Sequence, residues 1–180
     1  TQTVMYKNEA GETKFTTIDT KVSGKVVSGI LYVPNSASET NKLPAVVLTH
    51  GYLNNREHQL PFAIELARRG FVVLTVDREG HGNYNNVTNS GAMMATNGLY
   101  DSAKYVYNLP FVDKTKVGIT GHSMGGYTTA MTLYQDAIPT EATVTVEGKK
   151  YTGNALGMNL ISAGLMQGWS TYIYSGANVS

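Results

Sequence analysis

The sequence predicts an α/β domain with a mainly parallel central sheet, and three observations carry that expectation. From residue 26 to about residue 135, short apolar runs of strand length alternate with segments whose apolar residues recur at helical spacing. Two of the runs, AVVLTHG (45–51) and FVVLTVD (71–77), are nearly continuous rather than alternating, as expected of a strand covered on both faces of a parallel sheet. The order strand, helix, strand, helix, strand, helix calls for crossover connections, and these set successive strands parallel.

Taken in order, Val26–Val33 (VVSGILYV) is apolar and β-branched, is broken by Ser-Gly and stops at Pro34, so it reads as a strand. NSASETNKLP (35–44) is a polar turn region, followed by the 45–51 strand. REHQLPFAIELARR (56–69) places Leu60, Ala63, Ile64 and Ala67 on one helical face, with Gly70 as the stop signal. The 71–77 strand leads into the Gly/Asn-rich GHGNYNNVTNSG. Residues 97–109 then put Leu99, Ala103, Val106 and Tyr107 on one helical face, ending before Pro110. KVGIT (116–120) is a further strand, and a helix runs from about Met124 to Gln135. Residues 141–154, EATVTVEGKKYTGN, break the pattern and read as an inserted hairpin. ALGMNLISAGLM (155–166) fits a strand or a short helix equally, and the tail from Ser170 is strand-like at best.

Composition bounds the function. The chain has 180 residues, of which 42% are hydrophobic and 15% charged, enough for one globular domain with a sizeable core. A formal net charge of +1 with dispersed lysines and arginines gives no basic stripe for nucleic acid and no acidic tail. No apolar run approaches the roughly 20 residues of a membrane span. There is no cysteine, which excludes disulfides, thiolate catalysis and cysteine-ligated metals. No metal-ligand cluster, dinucleotide fingerprint or other cofactor signature is present. The first residue is Thr1, so a processed or trimmed product is expected. Many Thr, Asn, Gly and Tyr residues with few charges lean towards an extracytoplasmic protein.

The chemistry is concentrated in GITGHSMGGY (118–127). A strand running into Gly-x-Ser-x-Gly and then a helix describes a nucleophile elbow. Ser123 must sit in a strained backbone conformation for its hydroxyl to project above the sheet. Gly121 and Gly125 must be small because strand and helix backbones approach closely there, and Gly126 adds clearance. The following helix points its N-terminal N–H groups at a developing oxyanion. The five residues alone would also fit a plain glycine-rich turn with Ser123 as a helix N-cap. The flanking strand and helix and the motifs described next favour the elbow. A phosphate-binding loop lacks its lysine and its Ser/Thr.

Together, HGYLNNRE (50–57), DREGHG (77–82) and GHSMGG (121–126) resemble the α/β-hydrolase superfamily, most closely its dienelactone-hydrolase, acyl-esterase and prolyl-oligopeptidase type of catalytic domain. The resemblance covers about residues 25–135. It implies a three-layer fold in which Ser123 is the nucleophile and the Met124 N–H is one oxyanion donor. The second donor comes from the loop after His50-Gly51, as the Tyr52 N–H. The substrate implied is a small-molecule ester or acyl compound, with no cofactor. His50 reads as a structural residue fixing the oxyanion loop rather than a proton carrier, and His81 as a residue bonding the turn after the preceding strand. His122 flanks the nucleophile in the elbow and points away from it. His58 reads as a surface residue, and Arg56 and Glu57 as an exposed pair opening a helix; only the resemblance suggests that Arg56 orients a group in the pocket. The Asn/Gly/Met stretch 83–98 is placed either along the pocket or as a surface loop.

The resemblance stops at about the sixth strand. In that superfamily an acid and then a histidine follow the nucleophile in chain order, and a serine hydroxyl is a weak nucleophile without a base. After Ser123 this sequence has no histidine, and its acids there are Asp136, Glu141 and Glu147. The expectation is a single hydrolase domain over 1–180 that lacks its C-terminal strands, with acid and base supplied by a C-terminal segment or a second chain. The competing expectation is a hydrolase scaffold that binds without turnover.

Overall fold

The computed structural model of the chain describes residues 3–8, 11–22, 25–78, 81–82, 99–137, 143–146, 149–152, 158 and 161–162. Its centre is a seven-stranded mixed sheet. The strands β1 (Thr3–Asn8), β2 (Gly11–Val22) and β3 (Lys25–Pro34) form an antiparallel meander. They are followed by β4 (Leu43–Thr49), β5 (Val72–Val76), β6 (Val112–Gly121) and the two-residue β9 (Ile161–Ser162). The spatial order is β1-β2-β3-β5-β4-β6-β9. β3 meets β5 antiparallel, whereas β4 pairs parallel with β5 and with β6, and β6 parallel with β9. The parallel half thus lies where the crossovers required it, and the antiparallel half is the N-terminal meander. The strands β7 (Thr143–Val146) and β8 (Lys149–Thr152) pair antiparallel as a separate two-stranded sheet.

The alternation along β4 and β5 sorts side chains onto two faces. Ala45, Val47, Val72, Leu74 and Val76 join Ile119, Leu99, Ala103 and Val106 in one buried cluster, covered by α2 (Leu99–Tyr107). Leu133 of α3 (Met124–Ala137) packs against the same cluster. On the other face Val46, Leu48 and Val73 join Tyr32, Ala63 and Ala67, covered by α1 (Leu60–Arg68). Helices on both faces of the sheet make three layers, and they explain why β4 and β5 read as continuous apolar runs. Among the described residues no helix is long and apolar enough to cross a membrane.

Element boundaries moved for local reasons. The helix expected from residue 56 opens as a 3-10 turn at Arg56–Gln59 and becomes α-helical only at Leu60. Pro61 accounts for this, because proline lacks an N–H and fits only the first turn of an α-helix. β6 begins at Val112, earlier than the apolar run, because Asp113 to Lys116 extend the strand through solvent-facing polar residues. The segment 83–98, Glu141, Glu147 and the tail from Ser170 lie outside the described residues.

Candidate active site

The parallel strands β4, β5 and β6 end side by side, and the motif residues stand at those ends. The elbow follows β6. Ser123 has φ 56°, one of two non-glycine residues with positive φ among the described residues. A left-handed residue bearing a Cβ costs on the order of 1–2 kcal/mol, so its surroundings must hold it there. They do so through backbone hydrogen bonds. The His122 N–H donates to the Thr49 carbonyl at 3.2 Å, tying the elbow to the end of β4, and the Gly125 N–H donates to the His122 carbonyl at 2.8 Å. The Gly126 N–H closes on the Ser123 carbonyl at 2.9 Å. Both flanking glycines are required by space. A Cβ on Gly125 would lie 2.5 Å from the His50 carbonyl oxygen and 2.7 Å from that of Thr49, and one on Gly121 would run into the Gly125 carbonyl and the Thr49 side chain. α3 starts at Met124, which is fully buried, so the Met124 amide is one of the four helix-opening donors without an intrahelical acceptor.

The loop from His50 to Arg56 lies against this elbow. A Cβ on Gly51 would sit 3.2 Å from the Ser123 Cβ and 3.4 Å from His122 Nδ1. Tyr52 and Leu53 are exposed, and Leu53 is the second non-glycine residue with positive φ, at 59°. Two consecutive residues after β5 hold the loop at its two ends. The Arg78 N–H donates to His50 Nε2 at 3.1 Å, and the Asp77 carboxylate accepts both the Arg56 N–H at 2.9 Å and the Arg56 guanidinium at 2.7 Å. Arg56 is therefore a largely buried partner of Asp77, not half of an exposed pair with Glu57, although its Nε also lies 3.4 Å from a Glu57 carboxylate oxygen. Spacing alone could not show this, since the two residues meet only because β4 and β5 are adjacent and parallel. Gly82, at φ 54°, leaves room for the Asp77 carboxylate, which a Cβ at that position would strike. Replacing Asp77 with Asn is expected to destabilise the fold by about 3–5 kcal/mol, the usual loss when one partner of a buried ion pair is removed. The midpoint of urea unfolding measures it.

The four histidines have distinct settings. His50 is fully buried; its Nε2 accepts from Arg78 and its Nδ1 lies 2.7 Å from the Gly51 carbonyl. Since Nε2 is an acceptor, the proton is on Nδ1 and the ring is neutral. Burial pushes its pKa from 6.5 down to about 4, overcoming the Gly51 hydrogen bond that favours the charged form; Arg78, His81 and His58 push it down further. In the unfolded chain the ring titrates near its ordinary value, so between pH 6.5 and 4 only the unfolded state takes up the proton. His50 thus makes stability fall as pH drops through that window, by up to about 3 kcal/mol, and contributes a constant amount above it. Urea midpoints at pH 7, 5.5 and 4.5, compared with those of His50→Gln, isolate this contribution. The His81 backbone N–H donates to the Arg78 carbonyl at 2.9 Å, and the His81 ring meets His50 edge-on at 5.3 Å and Tyr52 at 5.8 Å between centroids. His58 and His122 are exposed, their ring centroids 6.1 Å apart. Among the described residues no histidine is hydrogen-bonded to the Ser123 hydroxyl, and no group of three or more His, Asp or Glu could hold a metal ion. Asp136 is bonded to the Tyr100 phenol, whose pKa burial and this carboxylate raise. It lies at the far end of α3, about 20 Å along the helix from Ser123 at 1.5 Å per residue.

The family model describing PET hydrolase-like proteins matches residues 3–146, four fifths of the chain. The chain belongs to the PET hydrolase-like family. It is also 31% identical over 115 residues to the probable dipeptidyl-aminopeptidase B of Arthroderma benhamiae; the match covers 58% of this chain and 12% of that protein. Among solved structures, the esterase of the archaeon Pyrobaculum calidifontis is 27% identical with a TM-score of 0.53, over 67% of this chain and 39% of that one. The α/β hydrolase GrgF of Penicillium sp. sh18 shares the fold at a TM-score of 0.56 and 17% identity, over 66% of this chain and 41% of that one. This family member thus has the α/β-hydrolase fold, its match reaches the N-terminal part of that fold, and its relatives are hydrolases. The chain spans about an eighth of the length of the curated relative and well under half of the solved ones.

Proposed function

We propose that the protein is a serine hydrolase that cleaves a carboxylic ester, or an amide, through an acyl-enzyme on Ser123. The observation that carries this reading is the backbone of Ser123: a left-handed serine between two glycines that accept no Cβ, at the start of a helix and against the His50–Arg56 loop. Strain of this kind has a use when a hydroxyl must project towards a substrate carbonyl. Ser123 Oγ attacks the carbonyl carbon as its proton passes to a base. The N–H groups of Met124 and Tyr52 hold the oxyanion. Collapse of the tetrahedral intermediate expels the alcohol or amine, which takes up the proton, and water releases the acid from the acyl-serine.

The base is a histidine from outside these 180 residues. His50 is neutral and bonded on both nitrogens, and none of the other three is hydrogen-bonded to Ser123 among the described residues. That arrangement is also what favours the second reading, a hydrolase scaffold that binds an ester without turnover. Rapid mixing of the native protein with p-nitrophenyl acetate separates the two. A burst of p-nitrophenol equimolar with protein, followed by slower turnover, is expected of an acyl-enzyme. Binding without any release of p-nitrophenol supports the scaffold alone.

A further inference from the structure

We infer that His58 and His122 form a two-histidine site for a divalent transition ion such as Zn²⁺, which would tie the 3-10 turn to the elbow. The inference stands apart from the serine chemistry and needs no turnover. The two rings come from different elements, the turn Arg56–Gln59 and the residue before Ser123, yet their centroids are 6.1 Å apart. An imidazole nitrogen binds zinc at about 2.0–2.1 Å, so its ring centroid stands about 3.2 Å from the ion. Two ligating rings therefore span at most about 6.4 Å, and a tetrahedral angle at the ion asks for about 5 Å. Both side chains are exposed, and a small rotation of each supplies the difference.

Two further observations separate this pair from an ordinary surface contact. Neither ring has a hydrogen-bond partner among the described residues, and a neutral imidazole keeps one nitrogen lone pair for a metal. The backbones that carry the rings are also tied to one atom. The Thr49 carbonyl accepts the His122 N–H at 3.2 Å and the Gln59 side-chain amide at 3.4 Å. The His58 N–H donates to the Asn55 carbonyl at 3.1 Å, and the Asn55 side chain caps the turn by accepting the Glu57 N–H. Both ligands thus stand on held backbone, and binding orders only two side chains. The neighbouring Arg56 guanidinium does not oppose a cation, because Asp77 at 2.7 Å and Glu57 at 3.4 Å compensate its charge. Imidazole suits zinc, copper and nickel. Two protein ligands are fewer than the three or four of a resident zinc, so water completes the shell and the ion exchanges.

Calorimetric titration of Zn²⁺ alone into the native protein tests the site. Wild type is expected to bind one equivalent that His58→Gln binds at least about 10-fold more weakly, since even an outer partner of a metal ligand is worth about 10–100-fold. Zinc bound elsewhere on the native protein is common to both proteins and drops out of the comparison. His58→Cys exchanges one zinc ligand for another and is expected to recover binding to within about tenfold of wild type. Thermal unfolding gives a second readout, because an ion that binds only the folded state raises its stability. Zn²⁺ is expected to raise the Tm of wild type by more than that of His58→Gln. His58 is exposed, so its variants keep the fold, and their Tm without metal verifies this. Equal Zn²⁺ affinity in wild type and His58→Gln overturns the inference, and so does an equal rise in Tm.

Discussion

Replacing Ser123 by alanine is expected to lower kcat for ester hydrolysis by the native protein by about 10⁶-fold, the scale seen when the nucleophile of a serine hydrolase is removed. The substitution deletes only the hydroxyl. Substrate binding is expected to persist, and KM, where turnover can still be measured, changes little. A companion variant tests the structural half of the argument. Ser123→Gly is equally inactive, but it removes the Cβ that makes φ 56° unfavourable. The glycine protein is therefore expected to be the more stable of the two by about 1 kcal/mol, since alanine retains the strain. Urea midpoints of the two variants measure this difference. Equal stability would mean that the left-handed elbow holds no strain for catalysis to use.

The second large effect is at Gly125. A methyl group there would meet two backbone carbonyl oxygens, of His50 and Thr49, at 2.5 and 2.7 Å. Backbone at the end of a central strand cannot move aside as a side-chain tip can. The first turn of α3 must instead leave β4, breaking the contacts that hold the elbow. Gly125→Ala is expected to lose at least about 4 kcal/mol, in the range of rare severe substitutions and a large part of the 5–15 kcal/mol that holds a typical domain. Gly70→Ala is the control. Gly70 is the reverse case: unlike Gly125 it has positive φ, at 86°, and nothing lies within 4 Å of its missing Cβ, so its substitution carries only a backbone strain of about 1–2 kcal/mol. Thermal unfolding of the two variants should differ accordingly; similar losses would remove close approach as the reason for Gly125.

The legible part of the fold was the part with a one-dimensional signature. β4 and β5 showed as continuous apolar runs because both faces are covered, and Gly-x-Ser-x-Gly after β6 has few structural uses. β1 and β2 went unread because GETKFTTIDTKV is mostly polar, as suits a meander towards the sheet edge, although its Thr, Ile and Val content and the flanking NEAG and VSG turn signals could have indicated it. The ion pair of Arg56 with Asp77 was hidden for another reason. It joins residues 21 apart across two adjacent strand ends, and no local pattern encodes such a meeting. His50 was recognisable as a loop-fixing residue, but its two partners, Gly51 beside it and Arg78 on the next strand's end, emerge only from the assembled sheet.

The most direct measurement is fluorophosphonate labelling of the native protein, as its source makes it, followed by mass-spectrometric mapping of the adduct. A single adduct on Ser123, absent from Ser123→Ala, is the predicted result; the proposal that the base lies outside these 180 residues further predicts far slower labelling of the isolated chain. A folded native protein that forms no adduct, or forms one on any other residue, would contradict an activated serine in this elbow.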